Sequence, residues 1–169
     1  MTEQEFSQFY KQNIDKVFRF IYLRVDKVET AEDITSQSFL KYWETNNNFK
    51  AIIKNPQAFI YQVARNQIID FYRQKNRKPI SLEELKEKGI EISQTSFAFK
   101  IELSFEMESL KKALQRIKPA YSEAIIWHYV DDLSTKEIAQ ILNKNENNVR
   151  VLIHRALEAL KKETGVNKS

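Results

Sequence analysis

The chain has no cysteine, only two glycines and three prolines in 169 residues, and no long uncharged apolar run. Each absence excludes something. Without cysteine there are no disulfide staples, thiolate metal sites or cysteine nucleophiles, and the composition suits a reducing compartment. Glycines at 89 and 165 alone cannot build a phosphate-cradling loop or a dinucleotide fingerprint. The two histidines, His128 and His154, stand on expected helices without metal-ligand spacing. No Ser/His/Asp arrangement stands out. The chain therefore reads as a non-enzyme with no cofactor, no metal and no small-molecule substrate. No apolar run reaches the roughly 20 residues a membrane helix needs, and the opening MTEQEFSQFYKQ is too polar for a signal peptide. The expectation is a cytoplasmic protein without membrane insertion.

What is present is helix. Long stretches of 3.6-residue periodicity predict helices near 3–25, 30–45, 56–76, 102–117, 119–131, 134–142 and 145–162. Asn55-Pro56 and Lys118-Pro119 are start signals, since proline at the first helical position gives up an amide that has no partner anyway. Periodicity fails over PISLEELKEKGIEISQTSFAFK, which contains Pro79, Gly89 and a Ser/Thr cluster. The expected fold class is all-α: two small helical domains, 1–78 and 102–169, joined by a flexible linker over 79–101, with one short helical turn possible after Ser81. Net charge is +4, a modest bias toward polyanions. Its distribution is more telling. Asp26, Glu29, Glu32, Asp33 and Glu44 make one helix acidic, while Arg65, Arg73, Lys75, Arg77 and Lys78 make the next basic, which suggests two different partners.

The segment LSTKEIAQILNKNENNVRVLIHRALEAL (133–160) has the layout of a helix-turn-helix. Ser134 and Glu137 form a capping box, and Asn145 can cap the second helix. Val149, Leu152, Ile153, Ala156, Leu157 and Leu160 fall on one stripe. The opposite face carries Asn147, Arg150, Val151, His154 and Glu158, side chains that suit base edges and phosphates in a major groove. An ordinary helical hairpin with a solvated outer face is the bland alternative.

The helix PQAFIYQVARNQIIDFYRQKNRK (56–78) packs through Ile60, Ala64, Ile68 and Phe71. On another side it gathers Tyr61, Arg65 and Tyr72, continued by Gln62, Asn66 and Arg73. Aromatic rings among guanidinium and amide groups suit unpaired bases, which stack on the rings while arginine neutralises phosphate. Upstream, Asn46, Asn47, Asn48 and Phe49 read as a polar loop able to hold an extruded base. Half-buried tyrosines with solvated charges would give the same pattern. The acidic helix TAEDITSQSFLKYWET (30–45) packs through Ile34, Phe39, Leu40 and Trp43 and leaves Glu32, Asp33, Ser36 and Gln37 outward.

Together these segments resemble a bacterial RNA polymerase sigma factor of the extracytoplasmic-function (ECF) group. AEDITSQSFLKYW (31–43) resembles the polymerase-binding helix of that family. FIYQVARNQIIDFYRQKNRK (59–78) resembles the helix that melts and reads the promoter −10 element, with Asn66, Asp70 and Arg73 matching its Asn, Asp and Arg. Residues 110–162 resemble the domain that binds the −35 element. The sequence departs from the family at Asn143, Asn147 and Asn148, and at Leu152, Leu157 and Glu158, positions often basic there. The chain lacks a counterpart for two domains of larger sigma factors, which is what assigns the ECF group.

The resemblance implies a transcription initiation factor whose partners are core RNA polymerase, promoter DNA and an anti-sigma factor. By it, Glu32, Asp33, Ser36 and Gln37 dock on polymerase. Asn46, Asn47, Asn48, Phe49, Tyr61, Arg65, Asn66, Arg73 and Arg77 serve the −10 element, and Lys136, Asn147, Asn148, Arg150, Val151, His154 and Arg155 the −35 element. A stand-alone helix-turn-helix regulator, or a protein-binding helical adaptor, is the competing class. Co-elution with core polymerase separates these from the sigma reading.

Overall fold

The computed structural model describes residues 1–48, 53–74 and 105–165. Phe49, Arg77 and the 79–101 linker lie outside them. Among the described residues every regular element is helical, as the periodicity predicts: α1 (Glu3–Tyr22), α2 (Val28–Asn48), α3 (Pro56–Gln74), α4 (Phe105–Arg116), α5 (Pro119–Ile125), α6 (Thr135–Leu142) and α7 (Glu146–Thr164).

Local chemistry sets the boundaries. Thr2 and Glu5 cap α1 reciprocally: the Thr2 hydroxyl accepts from the Glu5 amide at 3.1 Å, and the Glu5 carboxylate accepts from the Thr2 amide at 2.8 Å. Asn55 Oδ1 accepts from the Ala58 amide at 3.1 Å, so Asn-Pro starts α3 as expected. In α2 the buried Thr35 and Ser38 hydroxyls donate to carbonyls one turn back, at 2.6 and 2.7 Å. That bond lets two polar side chains sit inside without an orphaned group. The α2 packing face is centred one residue away from the expected one: Ile34, Phe39 and Tyr42 are buried, whereas Leu40 and Trp43 are only half-buried. Tyr42 stacks on Phe9 with ring centroids 4.3 Å apart, and Tyr10 meets Phe39 edge-on at 4.9 Å. An aromatic α1–α2 seam results.

In the C-terminal half, α5 runs on into one π-helical turn, Ile126–Val130, and the Asp131 amide reaches back to the Ile126 carbonyl at 2.8 Å. Asp132 and then Asn143 take left-handed backbone, with φ of 56° and 53°. Asparagine is among the few residues that enter this region at little cost, so the turn between α6 and α7 forms without glycine.

The two halves rest against each other. Phe20 of α1 stacks on Trp127 at 5.2 Å, and Tyr61 of α3 meets both rings edge-on. All three side chains are fully buried, within one apolar core that joins both halves.

Candidate nucleic-acid interface

The helix-turn-helix is built as its caps predict. The Ser134 hydroxyl accepts from the Glu137 amide at 3.1 Å while the Glu137 carboxylate accepts from Ser134 at 2.8 Å. Asn145 Oδ1 accepts from the Asn148 amide at 2.8 Å and starts α7. Val149, Ile153 and Ala156 are buried, with Leu152, Leu157 and Leu160 half-buried beside them. That anchoring turns the other face outward: Lys136 on α6, and Asn147, Asn148, Arg150, Val151, His154 and Arg155 on α7, are all exposed. Val151 is 47% exposed, an apolar side chain in an otherwise polar row. On this face Arg150 donates to Asn147 at 2.8 Å and to Glu146 at 3.0 Å, and His154 stands 3.4 Å from Glu158. Such exposed pairs are worth about 0.2–1 kcal/mol and exchange readily for a phosphate or base.

The basic helix α3 is arranged differently. Asn66 and Arg73 are exposed, as is Asp70. Tyr61, expected among the outward-facing aromatics, is instead fully buried, and its hydroxyl donates to Asp131 at 2.8 Å. Burial beside that carboxylate pushes the Tyr61 phenol well above its ordinary pKa. Arg65 donates to Glu123 at 2.6 Å, and Gln62 donates to the Ile141 carbonyl at 2.9 Å. The Tyr72 hydroxyl donates to the Arg24 carbonyl. Phe71, expected to pack, is only half-buried. The reason for the shift is the second half of the chain, which covers a side of α3 that its own periodicity leaves free.

Asn46, Asn47 and Asn48 form the last turn of α2 rather than a loop, and Asn46 Nδ2 donates to the Tyr42 carbonyl at 3.1 Å. Asn46 and Asn47 are half-buried and Asn48 is exposed. Proximity to α3 is retained, because Tyr42 and Phe59 pack with centroids 6.0 Å apart.

The proposed docking edge of α2 holds Glu32, Asp33, Ser36 and Gln37, all half-buried. Partial burial, then the neighbouring Glu29, raise the Asp33 carboxyl above its usual range. Burial, Glu29 and Asp33 do the same for Glu32. No ion pair among the described residues offsets these two carboxylates. A groove of about 680 Å³ separates the end of α3 from α4 and α5, lined among others by Leu23, Ile68, Tyr72, Arg73, Leu114 and Ile117.

Residues that sequence reasoning missed are those joining the halves: Arg19, Arg24, Glu123 and Asp131. The one available signal was a carboxylate at each end of the apolar run AIIWHYV, in Glu123 and Asp131.

A capped helix-turn-helix with an exposed, mostly polar outer face is the layout of a DNA-reading module. The comparisons define it further. Residues 9–78 match the model of sigma-70 region 2, and residues 107–160 match that of sigma-70 region 4. The chain is 29% identical over 156 residues to the ECF RNA polymerase sigma factor BldN of Streptomyces coelicolor, covering 92% of this chain but 58% of BldN. It is 27% identical over 161 residues to the ECF sigma factor SigM of Bacillus subtilis, covering 95% of this chain and 94% of SigM. Among solved structures, its fold matches the sigma factor RpoE of Bartonella quintana, crystallised with the anti-sigma factor NepR. The TM-score is 0.71 at 21% identity, over 98% of this chain and 99% of that one. CnrH, solved with the cytosolic domain of CnrY, matches with a TM-score of 0.70 at 15% identity, over 99% of this chain and 92% of that one. The chain belongs to the sigma-70 family of RNA polymerase subunits, in its ECF group. Sigma factors are transcription initiation factors that direct polymerase to promoters. No described helix is long and apolar enough to cross a membrane.

Proposed function

We propose that this chain binds core RNA polymerase in the cytoplasm and carries it to a promoter subset through two DNA sites. The observation that carries the reading is the outward face of α7: anchored by Val149, Ile153 and Ala156, it holds Arg150, His154 and Arg155 in solvent. These, with Lys136, Asn147, Asn148 and Val151, read the −35 duplex from the major groove. The exposed Asn66 and Arg73 of α3, with the Asn46–Asn48 turn, take the unpaired −10 strand, while Tyr61 is buried and Arg65 is engaged by Glu123; Phe49 and Arg77 extend that surface in sequence. Glu32, Asp33, Ser36 and Gln37 dock on the polymerase, where a basic or amide-rich surface relieves the crowded carboxylates. An anti-sigma factor is the further partner that would hold the chain in reserve. All chemistry belongs to the polymerase.

The test is gel filtration with purified core polymerase, followed by run-off transcription from promoter templates. Co-elution and promoter-directed transcripts are expected, and Asp33→Lys should lose both while keeping its circular dichroism spectrum. Tight promoter-specific duplex binding by the free chain, without polymerase, would favour a stand-alone regulator and sink the reading.

A further inference from the structure

Every other aliphatic side chain of α7 is buried or half-buried, whereas Val151 stands 47% exposed. It sits at the centre of the outward face. The anchors Val149, Ile153 and Ala156 are all buried, and at about 100° per residue Val151 projects almost directly away from them. Asn147 lies one turn earlier on the same face, and residues so spaced bring their Cβ atoms within about 5–6 Å. His154 borders the pair on one side and Arg155 on the other, all of them exposed.

Both side chains have a set direction. A β-branched valine holds one preferred χ1 on a helix, so its methyl groups point one way. The Asn147 amide is oriented by Arg150, whose guanidinium donates to Asn147 Oδ1 at 2.8 Å while also donating to Glu146 at 3.0 Å. With the carbonyl oxygen engaged, the Nδ2 donor is the end of Asn147 left to meet a base.

A donor beside an apolar group discriminates among base edges. In the major groove thymine presents an O4 acceptor next to its C5-methyl group. Cytosine turns an N4 donor outward, and donor against donor makes no bond. Guanine offers N7 and O6 as acceptors but nothing apolar for Val151. Adenine is read best by both ends of an asparagine amide, a contact that would break the Arg150 bond. Only thymine answers both side chains.

We propose that Asn147 and Val151 form a thymine-reading pair within the −35 element, Asn147 Nδ2 donating to O4 while the Val151 methyl groups cover the C5-methyl. The inference rests on the entry of α7 into the −35 major groove proposed above, and adds the base that the centre of its face selects.

The test uses holoenzyme assembled from core polymerase and the full chain. Duplexes randomised across the −35 window are selected for binding. Each thymine retained, on either strand, is then replaced singly by deoxyuridine, which removes the methyl group and nothing else. At one thymine the native chain should lose about three- to fivefold in affinity, the worth of one buried methyl group. Val151→Ala should bind the thymine and deoxyuridine duplexes alike at that position. 5-Methylcytosine opposite guanine keeps the methyl group but replaces the acceptor with a donor. The native chain should reject it, and Asn147→Ala should narrow that discrimination. Both side chains are exposed, so neither variant removes a core contact. Indifference of the native chain to deoxyuridine at every retained thymine, or selection of sites without thymine, overturns the proposal. So does a methyl dependence that survives Val151→Ala, or rejection of 5-methylcytosine undiminished in Asn147→Ala. If selection yields no sequence preference anywhere in the −35 window, the −35 reading of α7 falls and the inference with it.

Discussion

Two helices of this chain carry similar polar side chains and put them to different use. On α7, the Arg150 and His154 side chains, 57% and 74% exposed, lie against Glu146 and Glu158 one turn away on the same helix. On α3, Arg65 and Tyr61 are held by carboxylates 58 and 70 residues further along the chain. The cost of freeing them differs accordingly. An exposed pair within one helix is worth about 0.2–1 kcal/mol and breaks without consequence. Removing Arg65 or Tyr61 costs more, because the Glu123 or Asp131 carboxylate left behind is withdrawn from water, even though Arg65 itself is 38% exposed. Side-chain inventory alone treats the two helices alike, while packing leaves the outer face of α7 open and covers the Tyr61–Arg65 side of α3.

The sharpest way to break the comparison is to remove the seam's largest ring. Trp127 is fully buried between Phe20 and Tyr61, so Trp127→Ala should cost about 3–5 kcal/mol in urea unfolding. Val151→Ala on α7 should stay within about 0.5 kcal/mol. Similar losses at both positions would mean that the halves do not pack as described. At the DNA-binding level, Arg150→Ala should lose roughly 1–3 kcal/mol if it reads a base, and relax preference at the −35 element only. Asn66→Ala should impair −10 selectivity and opening of duplex templates. A template already unpaired across −10 should restore the melting part and keep the base-reading defect. Abortive transcription on templates changed at either element reads both. A −10 effect from Arg150→Ala would reverse the assignment of helices to elements.

Much of this arrangement is legible in the sequence, and the exceptions share one cause. Caps at Ser134, Asn145 and Asn55, and the stripe from Val149 to Leu160, depend on residues within a few positions, so periodicity and local hydrogen bonding suffice to place them. Tyr61 was expected outward because a helical wheel describes one helix against one partner. It cannot foresee that a second half of the chain arrives on another side, bringing Asp131. The asparagines at 46–48 were expected in a loop on composition. The helix instead continues through them to Asn48, with the Asn46 side chain donating back to the Tyr42 carbonyl of its own helix. Glu123 and Asp131 stand at the edges of an apolar run, and only their partners, Arg19, Arg24, Arg65 and Tyr61, distinguish them from ordinary surface acids.

The smallest predicted effect sharpens the comparison by pH. Burial lifts the Asp131 carboxyl to about 6, against the pull of the Tyr61 hydroxyl, Arg19 and Lys16, which favour its charged form. Tyr61 and Arg19 are its direct partners, Lys16 acts from α1, and Glu137 of α6 acts on Tyr61 from the other side. A carboxyl raised in the folded state holds its proton more tightly there than in the unfolded chain. Its folded form is therefore favoured as pH falls through about 6, and that advantage is lost as pH rises above it. Going from pH 7 to pH 5 should add roughly 1 kcal/mol to unfolding stability from this one group. Asp131→Asn removes the titration while retaining an acceptor for Tyr61. Glu32 and Asp33, also raised, contribute equally to both proteins and cancel. Urea unfolding of the two at pH 5 and pH 7 should show the native chain gaining that increment over the variant. Identical pH slopes for the native chain and Asp131→Asn would show that Asp131 is solvated and that the seam over α3 is open in solution.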